Sequence, residues 1–204
     1  MEISPEDLEW RDSYKLLTGS IVPRPIGFVS TISPAGLHNL AAFSFFNGVC
    51  PRPFIVSFAP MQRGNGEKKD TLRNIEDTGE FVINVVSEDI VVRMNETAPE
   101  FASDVDEFVV SGLTPIASSV VKPPRVLESP INMECELVQV IHFGDEPGAG
   151  SLVLGKVVRL HVRDDLYFDG KIDSWKLAPV ARLAGDEYCK ATDRFRLKRP
   201  SVKA

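Results

Sequence analysis

The sequence predicts a mainly β protein, one antiparallel barrel with short helices packed outside it. Three observations carry this reading. Three strand patterns crowd into residues 26–58, and two long β patterns return at 131–143 and 151–162, joined by the turn-rich stretch 144–150. No internal repeat or low-complexity tract separates the early strands from the late ones, so both sets are expected to close a single sheet.

Taken in order, Ser4 as cap, Pro5 at the first helical position and the apolar Leu8, Leu16 and Leu17 predict an amphipathic helix ending by Gly19. After Pro23-Arg24-Pro25, residues 26–32 alternate as a half-buried strand does. Pro34-Ala35-Gly36 then turns the chain into a hairpin partner running 37–46. The apolar run 54–58 is a third strand, and 62–68 is a polar loop. Asp70 or Thr71 as cap, Leu72 and Ile75 on one face and Gly79 at the stop position predict a helix of about two turns. Residues 81–86 read as a strand, and Ser87 opens a helix to about Thr97. Between 98 and 130 the pattern weakens into an irregular excursion, whose Phe101, Phe108 and Val109 still need something to pack on.

The composition, 43% hydrophobic and 25% charged, excludes a disordered or fibrous chain, and 204 residues hold a core without staples or a structural metal. One domain over 1–204 is expected, with its core at about 14–190 and a tail at 191–204, where the basic run Arg194 to Arg199 reads as solvated charge. Lys and Arg number 23 against 29 acidic residues, a net charge of −6, and the cations are scattered, so a nucleic-acid surface is not expected. Cys50, Cys135 and Cys189 lie far apart with no Cys-x-x-Cys pair, which fits a reducing cytoplasm. The acidic start lacks the marks of a signal peptide, and no stretch approaches the roughly 20 apolar residues of a membrane span. A cytoplasmic protein with no membrane partner is expected.

Several chemistries find no motif. Residues 64–71 lack a Gly-Lys-Ser/Thr triplet, and no Gly-x-Ser-x-Gly elbow occurs. His38, His142 and His161 read as surface or packed histidines, so neither a catalytic side chain nor a metal ligand is assigned. The Lys69-Asp70-Thr71 start joins free helix N–H groups, a hydroxyl and an ammonium, and reads either as a phosphate site or as a capped surface helix. Residues 39–47 read either as a core strand or as a wall for a flat aromatic ligand bonded by Asn39, Ser44 and Asn47.

Three segments, Ser20 to Thr31, Asn39 to Asn47 and Lys69 to Ile75, resemble in order and spacing the flavin reductase-like family of FMN-binding split barrels. That family includes flavoredoxin and the reductase components of two-component monooxygenases. The likeness continues through Glu134 to Leu137, Leu154 to Val158 and Pro179 to Tyr188. It implies a six-stranded antiparallel split barrel, a homodimer, one FMN per subunit near the dimer interface, NAD(P)H as co-substrate and a monooxygenase or redox protein as partner. It places Lys69, Asp70 and Thr71 at the phosphate, and Asn39, Ser44, Phe45 and Asn47 along the ribityl chain and isoalloxazine, with Ser30 and Thr31 as further contacts. Arg24 either adds charge near the phosphate or braces the Pro-Arg-Pro turn; Arg182 and Tyr188 reach the flavin or the other subunit, or simply pack. Ala42 stands where many relatives have proline, and Ala184 where a glycine with positive φ is usual. Positive charge for the cofactor is expected at Lys68, Lys69 and Arg73. The activity implied is NAD(P)H-dependent FMN reduction. The alternatives are a flavoredoxin-like FMN electron carrier and a dimeric binding module without flavin.

Overall fold

A computed structural model describes residues 1–200; positions 201–204, the end of the expected tail, lie outside the described residues. The strands are β1 (Arg24–Pro25), β2 (Gly27–Ile32), β3 (His38–Phe43), β4 (Phe46–Pro51), β5 (Phe54–Phe58), β6 (Glu80–Val85), β7 (Pro115–Ile116), β8 (Arg125–Val126), β9 (Ile131–His142), β10 (Ser151–Val162), β11 (Tyr167–Phe168), β12 (Lys171–Ile172), β13 (Val180–Arg182) and β14 (Tyr188–Lys190). The helices are α1 (Trp10–Ser20), α2 (Asp70–Thr78), α3 (Val91–Glu96), α4 (Glu107–Ser111) and α5 (Ser174–Leu177).

Seven strands form one antiparallel sheet in the order β3-β2-β6-β9-β10-β5-β4. Its two edge strands, β3 and β4, are consecutive in the chain with only Ser44 and Phe45 between them. The sheet therefore curls until its edges meet, a barrel split along that seam. Because the expected strand 37–46 breaks at Ser44 and Phe45, the sheet counts seven strands where the barrel reading has six. The chain leaves β3 at Phe43, the Phe45 carbonyl accepts from Ala59 N–H at 2.8 Å, and Phe46 starts a seventh strand. Gly27 leaves room for the turn, since a Cβ there would come within 2.9 Å of the Phe46 ring.

The period of two along β2 divides the core. Val29 packs inside the barrel with Phe43, Phe58, Phe81 and Val153, while Phe28 faces a second cluster with Leu40, Ile90, Met94 and Phe108. That second cluster is what the 98–130 excursion packs on. It supplies α4 and the β7–β8 ribbon, and Phe108 is buried where Val109 is exposed.

Three helix boundaries differ from expectation. Pro5–Asp7 form only a 3-10 turn, and α1 starts separately after Glu9. Lys69, not Asp70 or Thr71, is the N-cap of α2, because the Asp70 carboxylate pairs with Arg63 and Arg73 and the Thr71 hydroxyl is spent elsewhere. Gly79 does end α2 with φ +72°. The helix expected from Ser87 starts at Val91, since Ser87 bridges to Pro179. The small sheet β1-β13-β14 sets Arg24 opposite Arg182 in register. The positive φ expected at position 184 falls instead on Gly185, at +56°.

Candidate functional site

A cleft of about 630 Å³ opens where the seam meets α1, β1, the segment after β5 and the β13–β14 turn. Ala42, Phe43, Ser44 and Phe45 supply one wall. Ala59, Met61 and Gln62 continue it as the chain leaves β5, and Arg182 and Tyr188 stand at the side formed by the small sheet. Helix α1 roofs the cleft through Trp10, Tyr14 and Thr18. It is anchored at one end by the Trp10 ring, which lies so close to Gly148 that a Cβ there would meet it at 2.8 Å. The Tyr14 ring meets Phe45 edge-on at 6.4 Å.

The lining carries five cations, Arg11, Lys15, Arg24, Lys69 and Arg182, against two carboxylates, Glu100 and Asp186. A chain of net charge −6 thus turns a positive cleft outward, as an anionic ligand requires. Of the cations expected to serve such a ligand, Lys68 is paired with Glu76 and Arg73 with Asp70, while Lys69 remains in the cleft with its Nζ 3.9 Å from Glu100.

Four of the ten expected site residues, Arg24, Ser44, Phe45 and Lys69, line this cleft. Arg24 is only 4% exposed and braces the wall. Nε donates to Ser44 Oγ at 3.2 Å, Nη1 to the Thr18 and Ile21 carbonyls at 2.5 and 2.7 Å, and Nη2 to the Leu183 carbonyl at 2.8 Å. Burial pushes its guanidinium down from the ordinary value; Tyr14 opposes that shift and Arg182 adds to it.

Five others lie behind the wall, Ser30, Thr31, Asn39 and Thr71 in a buried polar layer and Asp70 half-buried at its edge. Asn39 Oδ1 accepts from Thr71 Oγ1 at 2.7 Å and from Thr31 Oγ1 at 3.3 Å, and its Nδ2 donates to Glu107 at 2.9 Å. Thr71 is 1% exposed. Ser30 donates to the Pro124 carbonyl at 2.5 Å. Asp70 is held between Arg63 and Arg73; burial alone would raise its carboxyl, but the Ser103 hydroxyl and the two guanidinium groups outweigh that and keep it low. Asn47 lies on β4, exposed, with its side chain accepting from Gly48 N–H.

The sequence reading missed Gln62. It is 9% exposed and lines the cleft, its Oε1 is buried without a partner, and its carboxamide makes no hydrogen bond among the described residues. Nothing in the polar loop 62–68 marks it beforehand. Another alignment, Ser151 Oγ to His142 Nδ1 at 2.9 Å and His142 Nε2 to Glu76 at 3.1 Å, has the form of a hydrolytic triad. Ser151 is 1% exposed on β10, so its hydroxyl is out of reach of a substrate.

The model of the flavin reductase like domain matches residues 18–176, a span that takes in the seam, the Lys69 helix start and both long strands. The chain belongs to this family. The flavin reductase-like chain is 42% identical to nitrilotriacetate monooxygenase component B from Bacillus cereus, with a TM-score of 0.92 over 97% of this chain and 98% of that one. It is 33% identical to the 2-nitrobenzoate 2-nitroreductase NbaA of Pseudomonas fluorescens, with a TM-score of 0.83 over 98% and 96% of the two chains. An uncharacterised protein of Halalkalibacterium halodurans is 40% identical over 99% of this chain and 98% of its own. For this flavin reductase-like chain the cleft residues fit a flavin: a cation at one end, a wall of small and aromatic residues for a planar ring, and a buried carboxamide still to be satisfied.

Proposed function

We propose that the protein is an FMN-binding reductase that passes a hydride from NAD(P)H to flavin. The single observation that carries this is the cleft itself, a positive pocket in an acidic chain with a planar wall at the barrel seam and Lys69 at the start of α2. A bound flavin supplies the hydride-accepting chemistry, so the protein needs no acid or base of its own. Its residues hold and orient. Lys69 and the free N–H groups of α2 take the phosphate, Ala42 to Phe45 back the ring, and the roof of α1 excludes water from one side. Arg24 fixes the position of Ser44 in that wall.

The similarity to component B of a monooxygenase supports a partner oxygenase that consumes the reduced flavin. Exposed Val49, Phe54, Leu160 and Val138, on the neighbouring strands β4, β5, β10 and β9, are apolar surface that supports a homodimer. The similarity to a nitroreductase favours a second reading, in which the flavin stays bound and reduces an aromatic compound in the same cleft.

The test is the visible spectrum of the FMN-loaded protein under anaerobic conditions, before and after NADH or NADPH. Bleaching of the flavin bands with either nucleotide is expected. Bound flavin that neither nucleotide reduces would leave an electron carrier, and failure to quench FMN fluorescence would remove the flavin altogether.

A further inference from the structure

The geometry points to Gln62 as the residue that selects a hydroxylated linker between ring and phosphate; the inference rests on the flavin reading above. A buried carboxamide oxygen with no partner is costly, because it has given up water and gained no donor in return. Gln62 Oε1 is such an acceptor, and Gln62 lines the cleft. What satisfies it must bring an O–H or N–H donor.

Its place along the chain says which part of a ligand does so. Ala59 N–H bonds the Phe45 carbonyl, which fixes the start of this segment at the ring wall. Four residues on, Arg63 Nη2 bonds Asp70 Oδ2 at 2.5 Å, which fixes its other end beside Lys69 and the α2 start. Between these two anchors Gln62 N–H is tied to the Ala149 carbonyl at 2.8 Å, so the residue is held after the ring wall and before the α2 start. A flavin placed with its ring on the wall and its phosphate at Lys69 lays its ribityl chain, the part rich in hydroxyl donors, along the stretch between these anchors. A carboxamide, acceptor and donor at once, suits adjacent hydroxyls better than a phosphate, which offers only acceptors, and the N–H donor on the ring edge is the rival that lumiflavin tests.

Three probes separate the parts. Lumiflavin has the ring alone, riboflavin adds the ribityl chain, and FMN adds the phosphate. Dissociation constants for all three are measured by fluorescence quenching on the wild-type protein and on Gln62→Leu, with Gln62→Met as a second apolar replacement of similar length should leucine disturb the wall. We expect riboflavin and FMN to weaken together by about three- to tenfold, with lumiflavin unchanged. The flavin-free variant is expected to melt no lower than wild type, because an unsatisfied group has been removed. Loss of lumiflavin affinity by the same factor would put Gln62 on the ring, loss confined to FMN would put it on the phosphate, and no change would leave it without a role; each overturns the assignment. If the wild-type protein binds none of the three, the flavin reading itself falls and takes this one with it.

Discussion

Arg24 Nε donates to Ser44 Oγ at 3.2 Å, so a residue before the barrel holds a residue at its seam. The same guanidinium reaches the end of α1 and the loop after β13, and its acceptors are three carbonyls and a hydroxyl. These hydrogen bonds describe a brace that reaches past the Pro-Arg-Pro turn, with one buried cation tying together the roof, wall and side of the cleft.

Arg24→Met is therefore expected to cost about 2–4 kcal/mol of stability in urea denaturation, since it leaves several buried acceptors unpaired. Arg24→Lys should recover only part of this, because an ammonium cannot match the guanidinium fork. A loss below about 0.5 kcal/mol for the methionine variant, the ordinary scatter of surface changes, would show that the brace is dispensable.

Lys69 and Thr71, two positions apart at the helix start and both expected at the phosphate, are predicted to separate. Lys69→Ala should weaken FMN by tenfold or more with little change in melting, as a charge-assisted contact would. Thr71→Val, whose hydroxyl is committed to Asn39, should instead lower stability by about 1–3 kcal/mol and leave the FMN dissociation constant within about twofold. Isothermal titration and thermal melts on the same samples check both.

Two buried carboxyls give opposite pH dependences. Burial by itself raises Glu134, but the Ser119 N–H, His161 and the N–H groups of Val121 and Val120 outweigh it and hold the carboxyl below its usual range. Its stabilisation is thus present above the unfolded value of about 4.3 and is lost as pH falls through the lower folded value. Glu107 is raised by burial, only partly offset by Leu40 N–H and the Asn39 amide. Its contribution is greatest below about pH 4.3 and fades as pH rises through the folded value. Urea midpoints measured from pH 3 to 8 should show a shallower acid-side fall in Glu134→Gln, on a less stable background, with Asp70 and Glu128 supplying the remainder, and an undiminished fall in Glu107→Gln.

Gly155 on β10 faces the ring of Phe81 on β6, with β9 between their strands, and an added Cβ would overlap the ring. Gly155→Ala should cost at least about 2 kcal/mol. Phe81→Leu in the same protein should return part of it, and additive losses in the double variant would refute the contact.

Regular alternation and turn chemistry made much of this fold readable in advance. Strands β2, β5, β9 and β10 announced themselves by pattern, and Gly79 ended α2 as its position required. What stayed hidden depends on partners distant in sequence. The break at Ser44 is invisible among apolar neighbours because it is set by closure against β5, and α4 gains its helix from packing Phe108 into the second core. Of the residues that line the cleft, type and spacing pointed to Lys69 and Ser44, and the family resemblance to Arg24 and Phe45. They could not tell that the Asn39 and Thr71 side chains bond each other behind the wall, or that Gln62 is left without a partner.

The link of Ser44 and Phe45 has one more consequence. Pockets built from free loops can be reshaped by inserting or deleting residues, but a residue added here would shift β4 by one against β5 and send its alternating side chains to the opposite face. New specificities on this scaffold must come from exchange of side chains, because the length of the wall is set by the joint that keeps the barrel shut.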